Sequence, residues 1–124
     1  MRNLKVAAVQ VRCEPLRTVE NLAHAEVLVE QAATEGAELV LLPELMPGGY
    51  LLTEDIWKTA ERFDGPSIAW LKRTANRCAI YLGMSFVEAD GSDFFTQQAL
   101  RGLIHATWGS VLSRQRQRLC QKRD

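Results

Sequence analysis

The stretch that most constrains this fold is Gly36–Tyr50, GAELVLLPELMPGGY. Gly36 accepts φ > 0 without a Cβ clash and so can close a helix at its C′ position. Leu39–Leu42 is an unbroken apolar run, the pattern of a strand buried on both faces. The run stops at Pro43, and Glu44 follows beside a turn made by Pro47, Gly48 and Gly49. Open α/β sheets bind ligands just outside the carboxyl ends of their strands. A carboxylate at that place is a candidate general base, the more so if it is buried. Taken without its flanking residues, Glu44 reads sooner as a helix cap or the partner of a lysine than as a base.

The rest of the chain repeats strand and helix. Leu4–Val11 (LKVAAVQV) is mostly apolar and reads as a central strand, ended by Pro15. From Thr18 to Glu35 the period is helical. Thr18 is the expected N-cap and Glu20 meets the positive end of the helix dipole. Leu22, Ala25, Val29 and Ala32 form one stripe, widened by Leu28 and Ala33, while Glu20, His24, Gln31 and Thr34 lie largely opposite. Strand, helix and strand make a βαβ unit, which calls for a parallel sheet with a right-handed crossover. Thr53–Arg62 reads as a shorter helix capped by Thr53. Asp64-Gly65-Pro66 leads into another helix with Pro66 at its first position and Ile68, Leu71, Ala75 and Cys78 on its core face. Ala79–Val87 (AIYLGMSFV) reads as a third buried strand, and Asp90-Gly91 as a turn. The alternation argues for an α/β domain. After Asp93 the pattern weakens. Phe94-Phe95 can begin a strand beyond the turn, Gln97–Leu103 has no clean period, Gly109–Ser113 reads as a turn and a short strand, and Arg114–Asp124 is basic.

Composition excludes several classes. A chain of 124 residues that is 47% hydrophobic is one globular domain at most. A net charge of +0 offers no general attraction to nucleic acid, and the basic end carries no RNA-binding motif. No apolar run approaches the roughly 18 residues of a membrane span. A strand pattern at the amino terminus, without a signal peptide before it, makes the cytoplasm the expected location. Three widely spaced cysteines, Cys13, Cys78 and Cys120, make no disulfide framework. His24 and His105 have no ligating neighbours at useful spacing, so no metal is expected. Trp57, Trp70 and Trp108 read as packing or surface residues.

VAAVQ (Val6–Gln10) in the first strand, and LLPE followed by GGY, at their mutual spacing resemble the amino-terminal part of the nitrilase, or carbon–nitrogen hydrolase, superfamily. The resemblance runs from about Leu4 to Gly91 and frays beyond it. It implies an α/β fold, a partial α-β-β-α sandwich of the nitrilase type of which this chain supplies the first βαβα units. Residues 1–93 would be the amino-terminal part of the hydrolase domain and 94–124 a degraded or divergent basic tail. Strands missing from such a fold would leave open sheet edges and one uncovered apolar face.

The resemblance also implies a chemistry. Members of the family cleave nitriles, amides or N-carbamoyl groups with a Glu–Lys–Cys triad and no cofactor. Glu44 falls on the family's glutamate, the general base. The family's lysine follows a Gly-x-Val-Leu turn; Gly109-Ser110-Val111-Leu112 matches that shape, but the lysine position holds Gln117. Lys122 comes five residues later in no matching context. The nucleophile is expected further along than this chain extends. Cys13 and Cys78 read as inert buried thiols, and Cys120, though set among arginines, comes too soon after Gln117. Tyr50 would line the substrate pocket. The implied partners are a small-molecule substrate and further copies of the chain, with neither nucleic acid nor membrane. Two readings stand: a hydrolase fragment inactive alone, or a non-catalytic α/β interaction module or decayed remnant that kept the fold and lost the triad. A flavodoxin-like domain is weaker, since Arg12-Cys13-Glu14-Pro15 stands where a glycine-rich phosphate loop belongs.

Overall fold

The computed structural model describes residues 2–91, 93–103 and 110–121. His105, Trp108, Gly109 and Lys122 lie outside them. The elements run β1 (Val6–Ala8), α1 (Thr18–Thr34), β2 (Leu39–Leu41), short 3-10 helices at Met46–Gly48 and Glu54–Thr59, α2 (Pro66–Cys78), β3 (Tyr81–Asp90), β4 (Asp93–Leu103) and β5 (Ser110–Gln121). The strands form one sheet in the order β1-β2-β3-β4-β5. β1, β2 and β3 are parallel, as the βαβ pattern requires, and β4 and β5 continue the sheet antiparallel. No helix among the described residues is long and apolar enough to cross a membrane.

Gly36 closes α1 as expected, at φ +95°. Its N–H donates to the Ala33 carbonyl and that of Ala37 to the Ala32 carbonyl, each at 3.0 Å. This crossed pair satisfies carbonyls the helix end would leave open. Thr18 is not the cap: it is the first helical residue, and Arg17 stands at the N-cap without a side-chain bond. Leu22, Ala25 and Val29 are buried and His24 is exposed, as the stripe predicts. α1 is stapled to α2 by Glu26, whose carboxylate accepts from Trp70 Nε1 at 3.1 Å and Thr74 Oγ1 at 3.3 Å. Arg77 adds ion pairs to Glu26 and Glu30. Trp70 is therefore a packing residue, and Trp57 is another, stacked on Phe94 with ring centroids 4.7 Å apart.

Several expected boundaries move. The helix expected over Thr53–Arg62 is a 3-10 turn, Glu54–Thr59, although Thr53 does cap it by accepting from the Asp55 N–H. The chain then extends so that Glu61 bridges Glu88 of β3. Glu61 also receives the Ser67 N–H at 2.8 Å, supplying the start of α2 with the acceptor that Gly65 lacks. Pro66 sits at the start of α2, and Ile68, Leu71 and Ala75 are buried with Ser67, Trp70 and Thr74, while Cys78 is half-buried. β3 starts at Tyr81 because Ala79 is spent on a left-handed C-cap, φ +53°. Gln97–Leu103 lies in β4 despite its lack of period, since pairing with β3 satisfies its backbone whatever its side chains are.

The two faces of the sheet differ. Ala7, Val40 and Leu82 share one row and face the helices, where Val40 and Leu82 are fully buried. The next residues, Ala8 and Leu41, are exposed, Leu41 by 44%. β2 is thus buried on one face rather than two. β1 is not central: it is short, lies at the edge of the described sheet, and leaves Val6 50% exposed. An apolar run marks residues that ask to be buried; it does not supply the layer that buries them.

One polar side chain binds the core together. Asn21 is completely buried. Its Nδ2 donates to the carbonyls of Glu14 at 2.9 Å and Pro47 at 3.0 Å, and its Oδ1 accepts the Glu14 N–H at 2.8 Å. It joins the first turn of α1 to the loop after β1 and to the turn after β2. Removing it takes a partner from the Glu14 N–H, from the Glu14 carbonyl, which keeps the Arg17 N–H, and from the buried Pro47 carbonyl; a buried group left unsatisfied costs about 1–3 kcal/mol. Asn21→Ala is expected to lower stability by about 2–4 kcal/mol in urea unfolding. Asn21→Asp, which loses both donors, is expected to do at least as much harm, and a loss within about 0.5 kcal/mol for either would contradict this role.

Candidate functional site

Glu44 stands two residues beyond Leu42, whose N–H makes a 3.0 Å bond to the Gly83 carbonyl of β3. The chain then turns sharply. Leu45 is left-handed, φ +51°, and its N–H donates to Ser85 Oγ of β3 at 2.9 Å. Leu45, Met46 and Pro47 turn inward and are buried. Gly49 and Tyr50 are also left-handed, at φ +92° and +48°. At Gly49 a Cβ would lie 2.9 Å from the Glu14 carbonyl oxygen, so only glycine lets the turn approach the loop after β1 this closely. Non-glycine residues in this region store backbone strain, and such residues gather at functional sites.

The turn buries its middle and leaves Glu44 and Tyr50 outside. Glu44 is exposed, contrary to the burial that would most favour a base, and no described residue forms an ion pair with it. The alternative that it caps a helix or pairs with a lysine has no support in its surroundings. Tyr50 is 51% exposed on the same turn. A pocket of about 510 Å³ lies elsewhere, lined by Arg62, Phe63, Asp64 and the Glu88–Gly91 end of β3, and includes neither Glu44 nor Tyr50.

Gln117 lies in β5, in register with Thr96 of β4, which is in register with Val87 of β3. Ser85 and Val87 share a face of β3 because side chains alternate along a strand. Position 117 therefore belongs to the row next to that of Ser85, the residue that holds the Glu44 turn. The offset is two strands across and one row along, about 10 Å by about 7 Å. Sheet register thus brings to one region two positions far apart in sequence. The residues missed by sequence reasoning are Ser85 and Asn21. Ser85 is the polar interruption in an otherwise apolar strand, and Asn21 is a polar residue beside Leu22 on the buried side of α1; those interruptions were the available signal.

The cysteines sit on three different parts of the chain: Cys13 just before Glu14 in the loop after β1, Cys78 at the end of α2 and Cys120 in β5. Cys13 donates to the Val11 carbonyl, Cys78 ends α2, and neither is in a disulfide. Cys120 occupies β5 in register with Phe94. Partial burial pushes the Cys13 thiol up. Burial does the same at Cys78, opposed by the neighbouring Arg77. A raised pKa leaves less thiolate at neutral pH, and thiolate is the nucleophile. Iodoacetamide is therefore expected to label Cys13 and Cys78 more slowly in the folded chain than in urea near neutrality. The difference should narrow as pH rises through the ordinary thiol range. Faster labelling of either residue in the folded chain would show an activated thiol instead.

The chain matches the model of the carbon–nitrogen hydrolase family over residues 5–120. It is 35% identical over 103 residues to an omega-amidase of Danio rerio, an alignment covering 82% of this chain and 36% of that protein. It is 30% identical over 102 residues to a nitrilase of Pyrococcus abyssi, covering 80% of this chain and 39% of the relative. It therefore spans rather more than a third of the length of these relatives. Among solved structures, a carbon–nitrogen hydrolase superfamily protein of Xanthomonas campestris with an arsenic adduct in its active site superposes at a TM-score of 0.76. The identity is 25%, and the match covers 92% of this chain and 40% of that one. The match over residues 5–120 leads to one conclusion: this chain belongs to the carbon–nitrogen hydrolase family.

Proposed function

We propose that Glu44 is the general base of a hydrolase acting on a non-peptide carbon–nitrogen bond, in a nitrile, amide or N-carbamoyl group, and that this chain alone does not turn over. The observation that carries the reading is an exposed carboxylate on a strained, doubly anchored turn just past the carboxyl end of β2, in a chain of this family. In the reaction, a cysteine thiol gives its proton to the Glu44 carboxylate and attacks the nitrile or carbonyl carbon. Glu44 returns that proton to the nitrogen, which leaves as ammonia or an amine so that a thioester remains; with a nitrile, the first product is a thioimidate, which adds water before ammonia leaves. Glu44 then takes a proton from water, which hydrolyses the thioester. A cation near the developing oxyanion stabilises the tetrahedral intermediate. Glutamine at 117 has donors for that oxygen but no charge.

In this reading residues 1–93 supply the amino-terminal part of the hydrolase domain and 94–124 the divergent end. Tyr50 borders the substrate, a small molecule handled in the cytoplasm without a cofactor, and the complete enzyme pairs with its own copies. Gln117 favours a second reading, a non-catalytic α/β interaction module or decayed remnant.

A chimera separates the two. The full chain is joined to the part of the Danio rerio omega-amidase beyond the matched segment, and ammonia release from a primary amide is followed. With Gln117→Lys the chimera is expected to turn over, and Glu44→Gln is expected to lower kcat by about a hundredfold or more. With Gln117 retained, kcat is expected to be about 10²–10³-fold lower. Turnover unaffected by Glu44→Gln would remove the base assignment. A folded Gln117→Lys chimera without turnover would favour the non-catalytic reading.

A further inference from the structure

We propose that Ser85 is a positioning residue for Glu44, a role that rests on reading Glu44 as the base. β3 is buried from Leu82 to Glu88, and Ser85 stands there between Met84 and Phe86 with only 7% of its surface exposed. Its hydroxyl oxygen accepts the Leu45 N–H at 2.9 Å. That N–H belongs to the peptide joining Glu44 to Leu45, so the bond fixes the plane from which Glu44 departs. On the other side of Glu44, the Leu42 N–H bonds to Gly83, two residues before Ser85 on the same strand. Pro43, between the two anchors, has its φ locked by its ring. Glu44 is thus slung between two bonds to one rigid strand while its carboxylate stays in solvent.

The hydroxyl does what the main chain of β3 does not do at this point. The β2–β3 register ends at Leu41 and Gly83, and the Leu45 N–H finds its acceptor in the Ser85 side chain. Alanine at 85 would fill nearly the same space and leave that N–H without its acceptor. Threonine would keep the acceptor.

The test uses the full chain in solution, with amide exchange and backbone order parameters by NMR. In Ser85→Ala the Leu45 amide is expected to exchange about tenfold faster or more, the loss of one buried hydrogen bond. The order parameter at Glu44 is expected to fall from near 0.85 toward about 0.6, with the change confined to the turn. Ser85→Thr is expected to restore both. If Ser85→Ala does not fold, Ser85→Cys, with a similar volume and a weaker acceptor, reads the same two amides. Unchanged order at Glu44, or loosening spread evenly over β3 and β4, would overturn the proposal, since a merely structural serine would weaken the sheet as a whole. These readouts need no turnover. A failed base assignment appears in the chimera kinetics and a failed positioning role appears here.

Discussion

The geometry around Glu44 depends on a buried amide. Asn21 faces the core from the first turn of α1 and satisfies backbone groups of two loops distant from each other in sequence, at Glu14 and at Pro47. A buried polar group without partners costs more than its bonds return, so such a side chain specifies one arrangement. Here it sets how the loop after β1 meets the turn after β2. Gly49 is required at that meeting because the Glu14 carbonyl comes too close for a Cβ. Leu45 and Tyr50 of the same turn also take positive φ.

The second constraint is one-sidedness. α1 and α2 cover one face of the sheet through Leu22, Ala25, Val29, Ile68, Leu71 and Ala75. Over β1 and β2 the other face shows Val6, Ala8 and Leu41 to solvent. In the family's sandwich a second sheet would lie against such a face. Glu44 and Tyr50 emerge at the carboxyl end of these strands, where a further layer would also complete a pocket. On the proposed reading, the exposed carboxylate of Glu44 and position 117 belong to one site beside this apolar surface.

Much of this was legible in the residues. Gly36, the parallel βαβ unit, Thr53, Pro66 and the turn at Gly91 announce themselves through local physics: a left-handed φ, a short side chain near a free N–H, a ring that suits a first helical position. The stripe of α1 gave its buried face directly. What local pattern cannot report is the neighbour. β2 was expected to be covered on both sides, and β1 to be central, because apolar runs usually are buried. Gln97–Leu103 showed no period because its strand is fixed by pairing with β3. Ser85 and Asn21 act across about 40 and 26 residues of sequence, separations at which no periodicity carries information. Glu44 itself was found by its flanking residues, and its exposure by the fold.

The most direct measurement is ammonia release by the purified chain of 124 residues on a small panel of amides and nitriles, beside a reagent blank. No turnover above the blank is expected, since on the proposed reading Glu44 is a base that lacks the family's cysteine and lysine. Turnover that disappears with Glu44→Gln would contradict this, because the chain would then hold a complete site of its own.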